Sequence, residues 1–148
     1  MRKMVFGRQF SRGKKGRIAL FRSLVRAIIL NGKIITTKAK AKAIQKDLNK
    51  YLKQAKKNTV ATRRKVLAEM GNDREAVDAL FLKVAPAFSK RNSGFTKITA
   101  LPKRKGDAAE IVRFEWTEKV LEEKKEKKES KKGEKTSKEV KKVEKKGK

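Results

Sequence analysis

The residues whose types and spacing point most clearly to chemistry are the cations in the first third of the chain. Residues 1–46 contain fourteen Lys or Arg and no carboxylate, and the first acid is Asp47. Arg binds phosphate oxygens in a planar, bidentate way, and Lys acts on them as a mobile point charge. Because a block of one sign repels itself unless a polyanion neutralises it, this segment predicts nucleic-acid binding, mostly through phosphates.

The composition of the whole chain excludes several other classes of protein. Its 148 residues carry a formal net charge of +28 and include neither cysteine nor histidine. The absence of these side chains excludes disulfides and thiol catalysis, and removes the usual general base and the commonest metal ligands. P-loop and GxGxxG motifs are also missing from the sequence. We therefore expect a binding protein rather than an enzyme, with no cofactor and no small-molecule substrate.

Charge and apolar content divide the chain into three parts. Residues 118–148 contain fourteen Lys, eight Glu and no aromatic residue, a composition that predicts a disordered tail. Residues 1–16 include three glycines and predict an irregular basic arm. Residues 17–117 have the apolar periodicity of a single folded α/β domain. The basic surface is therefore expected to belong partly to a folded domain.

The pattern within 17–117 predicts a two-layer domain of the α+β type, with helices over a small mixed sheet in the order α-β-α-α-α-β-β. Asn72 followed by Glu75 predicts a capped start for the fourth helix, and Pro86 should disturb its last turn. The predicted helices cover residues 17–31, 38–57, 58–70 or 59–70, and 72–88, and the predicted strands cover 33–36, 95–101 and 109–116.

Cations of the arm, the first helix and the later loops are the candidate RNA-binding residues. The arm and the first helix carry most weight, because no acid close in sequence is available to pair with them. Phe6 and Phe10 lie in the arm, where each either stacks on a base or packs into the fold. The candidate RNA-binding residues are Arg2, Lys3, Arg8, Arg12, Lys14, Lys15, Arg17, Arg22, Arg26, Lys38, Lys40, Lys42, Arg63, Arg64, Arg91, Lys97, Arg104 and Lys105.

Several short motifs give the chain a family resemblance. In order and with matching spacing, nearly all of residues 1–117 resemble the bacterial large-subunit ribosomal protein family seventeen. Members of that family commonly have Tyr and Arg where this chain has Phe95 and Lys97, and often have histidines in the arm and first helix. The matching segments are GRQFSR (7–12), RIALFR (17–22), IITT (34–37), KAK (40–42), TRR (62–64), GFTKI (94–98) and KGD (105–107).

The resemblance implies a structural constituent of the large ribosomal subunit that acts in translation. It implies one α/β domain docked on large-subunit rRNA near the polypeptide exit region, with neighbouring ribosomal proteins as further partners. An Arg-rich, acid-free N-terminus is also typical of mitochondrial presequences. Since the resemblance extends to the first residues, we expect a cytoplasmic ribosome rather than an organellar one. The tail lies outside the shared region.

Three other classes share part of this signal. A histone-like DNA-binding protein would have the same charge, together with a dimerising core and an apolar wedge at a tip such as the Pro-containing loop 102–107. A membrane-surface protein would use the Lys-rich tail, which has few apolar anchors. An RNA-modifying enzyme is the weakest alternative, because the sequence lacks the chemistry. Preference for folded rRNA over duplex DNA at fixed salt separates the first alternative from the ribosomal interpretation.

Overall fold

The computed structural model of the protein describes residues 7–118 and residue 120. Its helices and strands follow the predicted order, so the α+β fold class is confirmed. The first six residues of the arm and nearly all of the predicted tail lie outside the described residues. The elements are α1 (Lys14–Asn31), β1 (Lys33–Thr37), α2 (Lys38–Lys57), α3 (Val60–Glu69), α4 (Arg74–Ala79), a π-helical turn (Leu80–Val84), α5 (Ala85–Ala87), β2 (Thr96–Ala100) and β3 (Ile111–Trp116).

The sheet has three strands in the order β1-β3-β2, and both pairings are antiparallel. The predicted mixed sheet is therefore wrong in this detail. β3 forms a hairpin with β2 and pairs through its other edge with β1, so no parallel crossover is needed. Val112, Phe114 and Trp116 alternate along β3 toward the helices, and all three are buried. The Trp116 indole N–H donates to the carbonyl of Ile28 at 3.1 Å, which ties β3 to α1.

The helical layer packs on this one face of the sheet. The core stripe of α2 recurs with helical spacing and is fully buried, as the apolar pattern predicted. Phe88 lies at the centre, with its ring 5.6 Å from both Phe95 and Trp116. The largest fully buried side chains of the helical layer and of the turn that follows α5 are Ile28, Ile29, Ile44, Leu48, Leu52, Leu80 and Phe88.

Two helix starts differ from the prediction. α1 begins at Lys14 rather than at Arg17, because Gly13 is the extended N-cap and its carbonyl accepts from the Arg17 N–H at 3.0 Å. α4 is capped by Asp73 rather than by Asn72. Asn72 has a positive φ of 65° and completes the turn that ends α3. The carboxylate of Asp73 therefore accepts the hydrogen bond from the Ala76 N–H in the first turn of α4.

Glycine and proline account for the end of α1 and for an irregular turn after α4. Gly32 has a φ of 76° and its N–H donates to Ile28, so it ends α1 as expected of a C-terminal glycine. The sequence predicts that Pro86 disturbs the last turn of the fourth helix, whereas the irregularity lies one turn earlier, where the α-helical pattern widens into the π-helical turn. Proline lacks an N–H and its ring crowds the carbonyl four residues earlier, which accounts for the irregularity.

Candidate nucleic-acid interface

Ion pairs within the domain sort its cations into two groups. Seven of the nine carboxylates between residues 7 and 118 lie within ion-pair distance of a Lys or Arg. A cation that is held by a carboxylate in this way has less charge to offer to an external phosphate. The pairs are Arg26–Asp73, Arg26–Glu75, Lys38–Glu110, Lys50–Glu69, Arg63–Asp78, Arg91–Glu118 and Arg104–Asp107.

Arg26 shows how the fold supplies partners that sequence proximity does not. Its two terminal nitrogens donate to Asp73 and Glu75, each at 2.7 Å. These acids begin α4, so the contact joins the middle of α1 to the start of a distant helix. No acid lies close to Arg26 in sequence, as expected, but the fold brings it two acids from 47 and 49 positions away.

Arg22, one turn earlier, is held by backbone rather than by a carboxylate. Its Nε donates to the carbonyl of Glu69 at 2.8 Å, and a terminal nitrogen donates to that of Ala68 at 3.5 Å. These are among the last carbonyls of α3, where a cation also interacts favourably with the negative end of the helix dipole. Gly71 leaves room for this contact, since a Cβ there would lie 2.9 Å from a terminal nitrogen of Arg22. Arg22 and Arg26 therefore fasten α1 to the α3–α4 corner.

Other candidate cations are also engaged within the domain. The guanidinium of Arg63 lies 4.9 Å from the ring centre of Phe81 and donates to Asp78 at 3.1 Å. Arg91 pairs with Glu118 at 2.7 Å, and a terminal nitrogen of Arg12 donates to the carbonyl of Phe10 at 3.0 Å.

Two further pairs lie beside the loop that joins β2 and β3. Arg104 makes a two-pronged contact with Asp107 and holds the pKa of that carboxyl at about 2. Lys38 lies 2.8 Å from Glu110, and its hydrogen bond lowers the pKa of Glu110. Both carboxyls are exposed, so salt screens these pairs.

The other group contains candidate cations whose side chains form no ion pair or hydrogen bond with any described residue. Arg2 and Lys3 lie outside the described part of the chain. The cations of this second group are Arg8, Lys14, Lys15, Arg17, Lys40, Lys42, Arg64, Lys97 and Lys105.

The described part of the arm folds back on the domain. Phe10 and Ser11 both have positive φ, and the Arg12 N–H donates to the carbonyl of Gln9 at 3.1 Å, which closes a turn. The ring of Phe10 meets that of Phe21 edge-on, with centroids 6.0 Å apart. Of the two uses open to Phe10, the structure therefore shows packing. Phe6 lies outside the described residues.

This turn helps to form a cleft between the arm, α1 and α2, which we call the basic cleft. Its volume is about 310 Å³, its cationic lining is Arg8, Arg17 and Lys42, and its apolar lining is Phe21, Ala39 and Ala43. An adjoining depression of about 390 Å³ shares Arg8 and Lys42. The other cations of this group line neither space: Lys14, Lys15, Lys40, Arg64, Lys97 and Lys105.

The basic cleft is suited to bind a phosphodiester backbone. Three cations around small apolar side chains supply charge without a fixed pattern of donors that would read base edges. Within the described residues, no three metal-ligating side chains are grouped to hold an ion. Each helix in that same part of the chain is too short or too polar to cross a bilayer.

Sequence reasoning missed a set of cations on α2. It selected Lys40 and Lys42 but not Lys46, Lys53 and Lys57, which are exposed. The helical phase of these lysines relative to the buried stripe of α2 was the signal that could have identified them, because it places them together on the solvent side.

Comparisons with known proteins agree on one family. The family model described as ribosomal protein L17 matches residues 20–117. The large ribosomal subunit protein bL17 of Hydrogenobaculum sp. is 42% identical over 119 residues, which is 80% of this chain and 100% of that protein. The protein of the same name from Persephonella marina is 43% identical over 119 residues, covering 80% of this chain and 96% of its own length.

Proposed function

Because this chain belongs to the ribosomal protein L17 family, and is therefore a structural, non-enzymatic protein of the large ribosomal subunit, we propose that it binds folded large-subunit rRNA through the basic cleft. The observation that supports this most directly is the set of unpaired cations, Arg8, Arg17 and Lys42, that converges there. Cations that form no ion pair with any described residue favour an external polyanion.

The rest of the arm belongs to the same proposal. Arg2 and Lys3 extend the charge of the arm beyond the basic cleft along the sequence. The arm then threads between RNA helices while the folded body holds its root through Phe10 and Phe21. Specificity comes from the shape of the folded RNA rather than from a base code.

Position and partners follow from the family resemblance. We place the chain near the polypeptide exit region of a cytoplasmic ribosome, with neighbouring ribosomal proteins beside it, as a contributor to translation. Chemical cross-linking within purified large subunits tests this position. Cross-links to proteins and nascent chains at the exit support the proposal, and cross-links confined to the opposite side of the subunit contradict it.

Deletion of residues 1–9 tests the arm directly. This truncation spares Phe10 and all of α1, so the helical circular-dichroism signal should stay nearly intact. We expect less of the tagged, truncated protein than of the full chain to co-sediment with large subunits after a moderate salt wash. Equal incorporation of the two proteins would remove the arm from the proposal.

A competition experiment tests the choice of nucleic acid. Labelled protein is bound to bacterial large-subunit rRNA at fixed salt and challenged with duplex DNA of equal phosphate concentration. We expect the rRNA to be retained. Displacement by duplex DNA with equal efficiency would instead favour the histone-like alternative.

A further inference from the structure

We infer that the solvent face of α2 is a second RNA-contact surface, which takes the phosphate backbone of a single rRNA strand and continues the track that begins in the basic cleft. The inference rests on the proposed function and deepens it. The surface is a row of exposed lysines, which we call the lysine ridge and which consists of Lys42, Lys46, Lys53 and Lys57.

Helical geometry places these lysines in one line. They lie at positions i, i+4, i+11 and i+15, and at roughly 100° per residue they stay within about 60° of one another around the helix axis. At about 1.5 Å per residue, the distance along α2 from Lys42 to Lys57 is about 22 Å. The opposite side of α2 is the buried stripe that includes Ile44, Leu48 and Leu52, so the lysine ridge cannot turn inward.

Polar amides lie among the lysines of the ridge. Gln45, Asn49 and Gln54 line the same open groove as the ridge, which has a volume of about 670 Å³. Asn49 Oδ1 and Gln54 Oε1 are shielded from solvent and have no hydrogen-bond partner among the described residues. Amide side chains carry no charge, so they leave the positive charge of the ridge unneutralised.

The carboxylates nearest the ridge form no ion pair with it, and Lys46 acts on Asp47, and Lys42 on Glu110, through charge alone. Asp47 is the only acid of α2, and it lies in a different cleft with Tyr51 and Glu69. Burial there raises the pKa of Asp47. Lys50 also lines the groove, but it is held by both oxygens of Glu69 at 2.8 Å and is not counted in the ridge. The four ridge lysines form no ion pair with any described residue.

Two observations favour RNA over another occupant. Lys42 lines the basic cleft as well as the groove, so the lysine ridge is continuous with the proposed rRNA contact. The ridge also lacks the apolar anchors that a membrane-surface helix needs, because none of the exposed large hydrophobic residues of the described chain lies on α2. A row of charge about 22 Å long without apolar anchors matches a phosphodiester strand.

The test is the salt dependence of binding to bacterial large-subunit rRNA transcribed in vitro. The full chain is compared with the triple variant K46Q/K53Q/K57Q, which leaves the basic cleft intact. A matched variant, K65Q/K83Q/K90Q, removes three exposed lysines that do not line the groove. Lys and Gln have similar helix propensities, so circular dichroism should show the same helical content in all three proteins.

Loss of three phosphate contacts should reduce the slope of log K against log salt by about 2 to 2.7 in magnitude. At about 0.1 M salt the affinity should fall on the order of 10²-fold. We expect the matched variant to differ from the full chain by much less in both quantities.

The outcomes separate the two proposals. If the full chain prefers rRNA to duplex DNA but the ridge variant behaves like the matched variant, the lysine ridge is overturned and the proposed function stands. If affinity falls with no change in slope, the phosphate contact is overturned as well. A full chain without any preference for rRNA contradicts the proposed function itself.

Discussion

Arg22 and Arg26 of α1 and the lysine ridge of α2 use their charges in opposite ways. In α1, Arg22 and Arg26 reach inward to the carbonyls that end α3 and to the acids that begin α4. In α2, the lysine ridge faces solvent along the whole helix. The density of cations along the sequence therefore does not show which of them stabilise the fold and which are available to a partner. Contacts with groups distant in sequence determine the difference.

The largest expected effect on the free energy of unfolding comes from a double substitution on α1, which we compare with a matched double substitution on α2. R22Q/R26Q should lower the free energy of unfolding by about 2 kcal/mol, since two exposed but hydrogen-bonded guanidinium contacts are lost. K46Q/K53Q removes the same charge from α2 and should change it by about 0.5 kcal/mol or less. Urea unfolding followed by circular dichroism measures both. Equal destabilisation by the two variants would erase the distinction between the helices.

A substitution at Gly71 tests the contact that Arg22 makes with α3. Gly71→Ala should cost about 1–2 kcal/mol from its left-handed backbone, and more because the new Cβ would crowd the guanidinium. Gly94 is the matched control, with a similar φ of 69° and no atom within 4 Å of a Cβ built there. Thermal or urea unfolding should show a greater loss for Gly71→Ala. A greater loss for Gly94→Ala would mean that the Arg22 contact contributes nothing.

Asp73 separates helix capping from ion pairing. Asn caps helices as well as Asp does, so Asp73→Asn removes only the charge that faces Arg26 and should cost about 0.5 kcal/mol. Asp73→Ala also removes the acceptor for the Ala76 N–H and should cost about 1 kcal/mol more. Equilibrium unfolding of both variants gives the two values. If the Asn variant is as unstable as the Ala variant, the ion pair rather than the cap dominates at this corner.

The smallest effect is expected at the exposed Arg104–Asp107 pair. The pKa of Asp107 is lowered to about 2, so the pair stabilises the fold above the ordinary carboxyl pKa of about 3.9 and loses this contribution as the pH falls toward 2. Arg104→Gln should return the pKa of Asp107 toward its ordinary value. Carbon NMR of the side-chain carboxyls measures the shift.

Asp47 is an internal control in the same titration. Its pKa is raised by burial in a separate cleft, so it should not respond to Arg104→Gln. An unchanged Asp107 pKa in that variant would show that the pair does not form in solution.

Much of this fold is readable from local sequence pattern. The α2 range, the buried stripe of β3 and the Gly32 stop follow from periodicity and glycine chemistry. The sheet pairing does not, because nothing local to β1 indicates that it joins the free edge of β3 in antiparallel register. The sequence pattern indicates Asn72 as the cap where the structure has Asp73, because a left-handed residue in the preceding turn leaves no local signature.

The candidate site was only partly predictable for the same reason. The arm and the start of α2 were recognisable from charge, but the pairing of Arg26 with Asp73 depends on how α1 packs against α4. The phase of the lysine ridge was present in the sequence. The hydrogen bonds from Arg22 to carbonyls of α3 could not be predicted from the sequence, because every residue has a backbone carbonyl and none is marked by its residue type.

The most direct test of the account compares two double variants drawn from the same acid-free block. R8Q/R17Q removes cations of the basic cleft, and R22Q/R26Q removes cations held by the fold. Salt titration of binding to large-subunit rRNA should show a slope smaller by about 1.4 to 1.8 for R8Q/R17Q, and the slope of the full chain for R22Q/R26Q. Equal losses of slope in the two variants, or a loss confined to R22Q/R26Q, would contradict the assignment of unpaired cations to RNA.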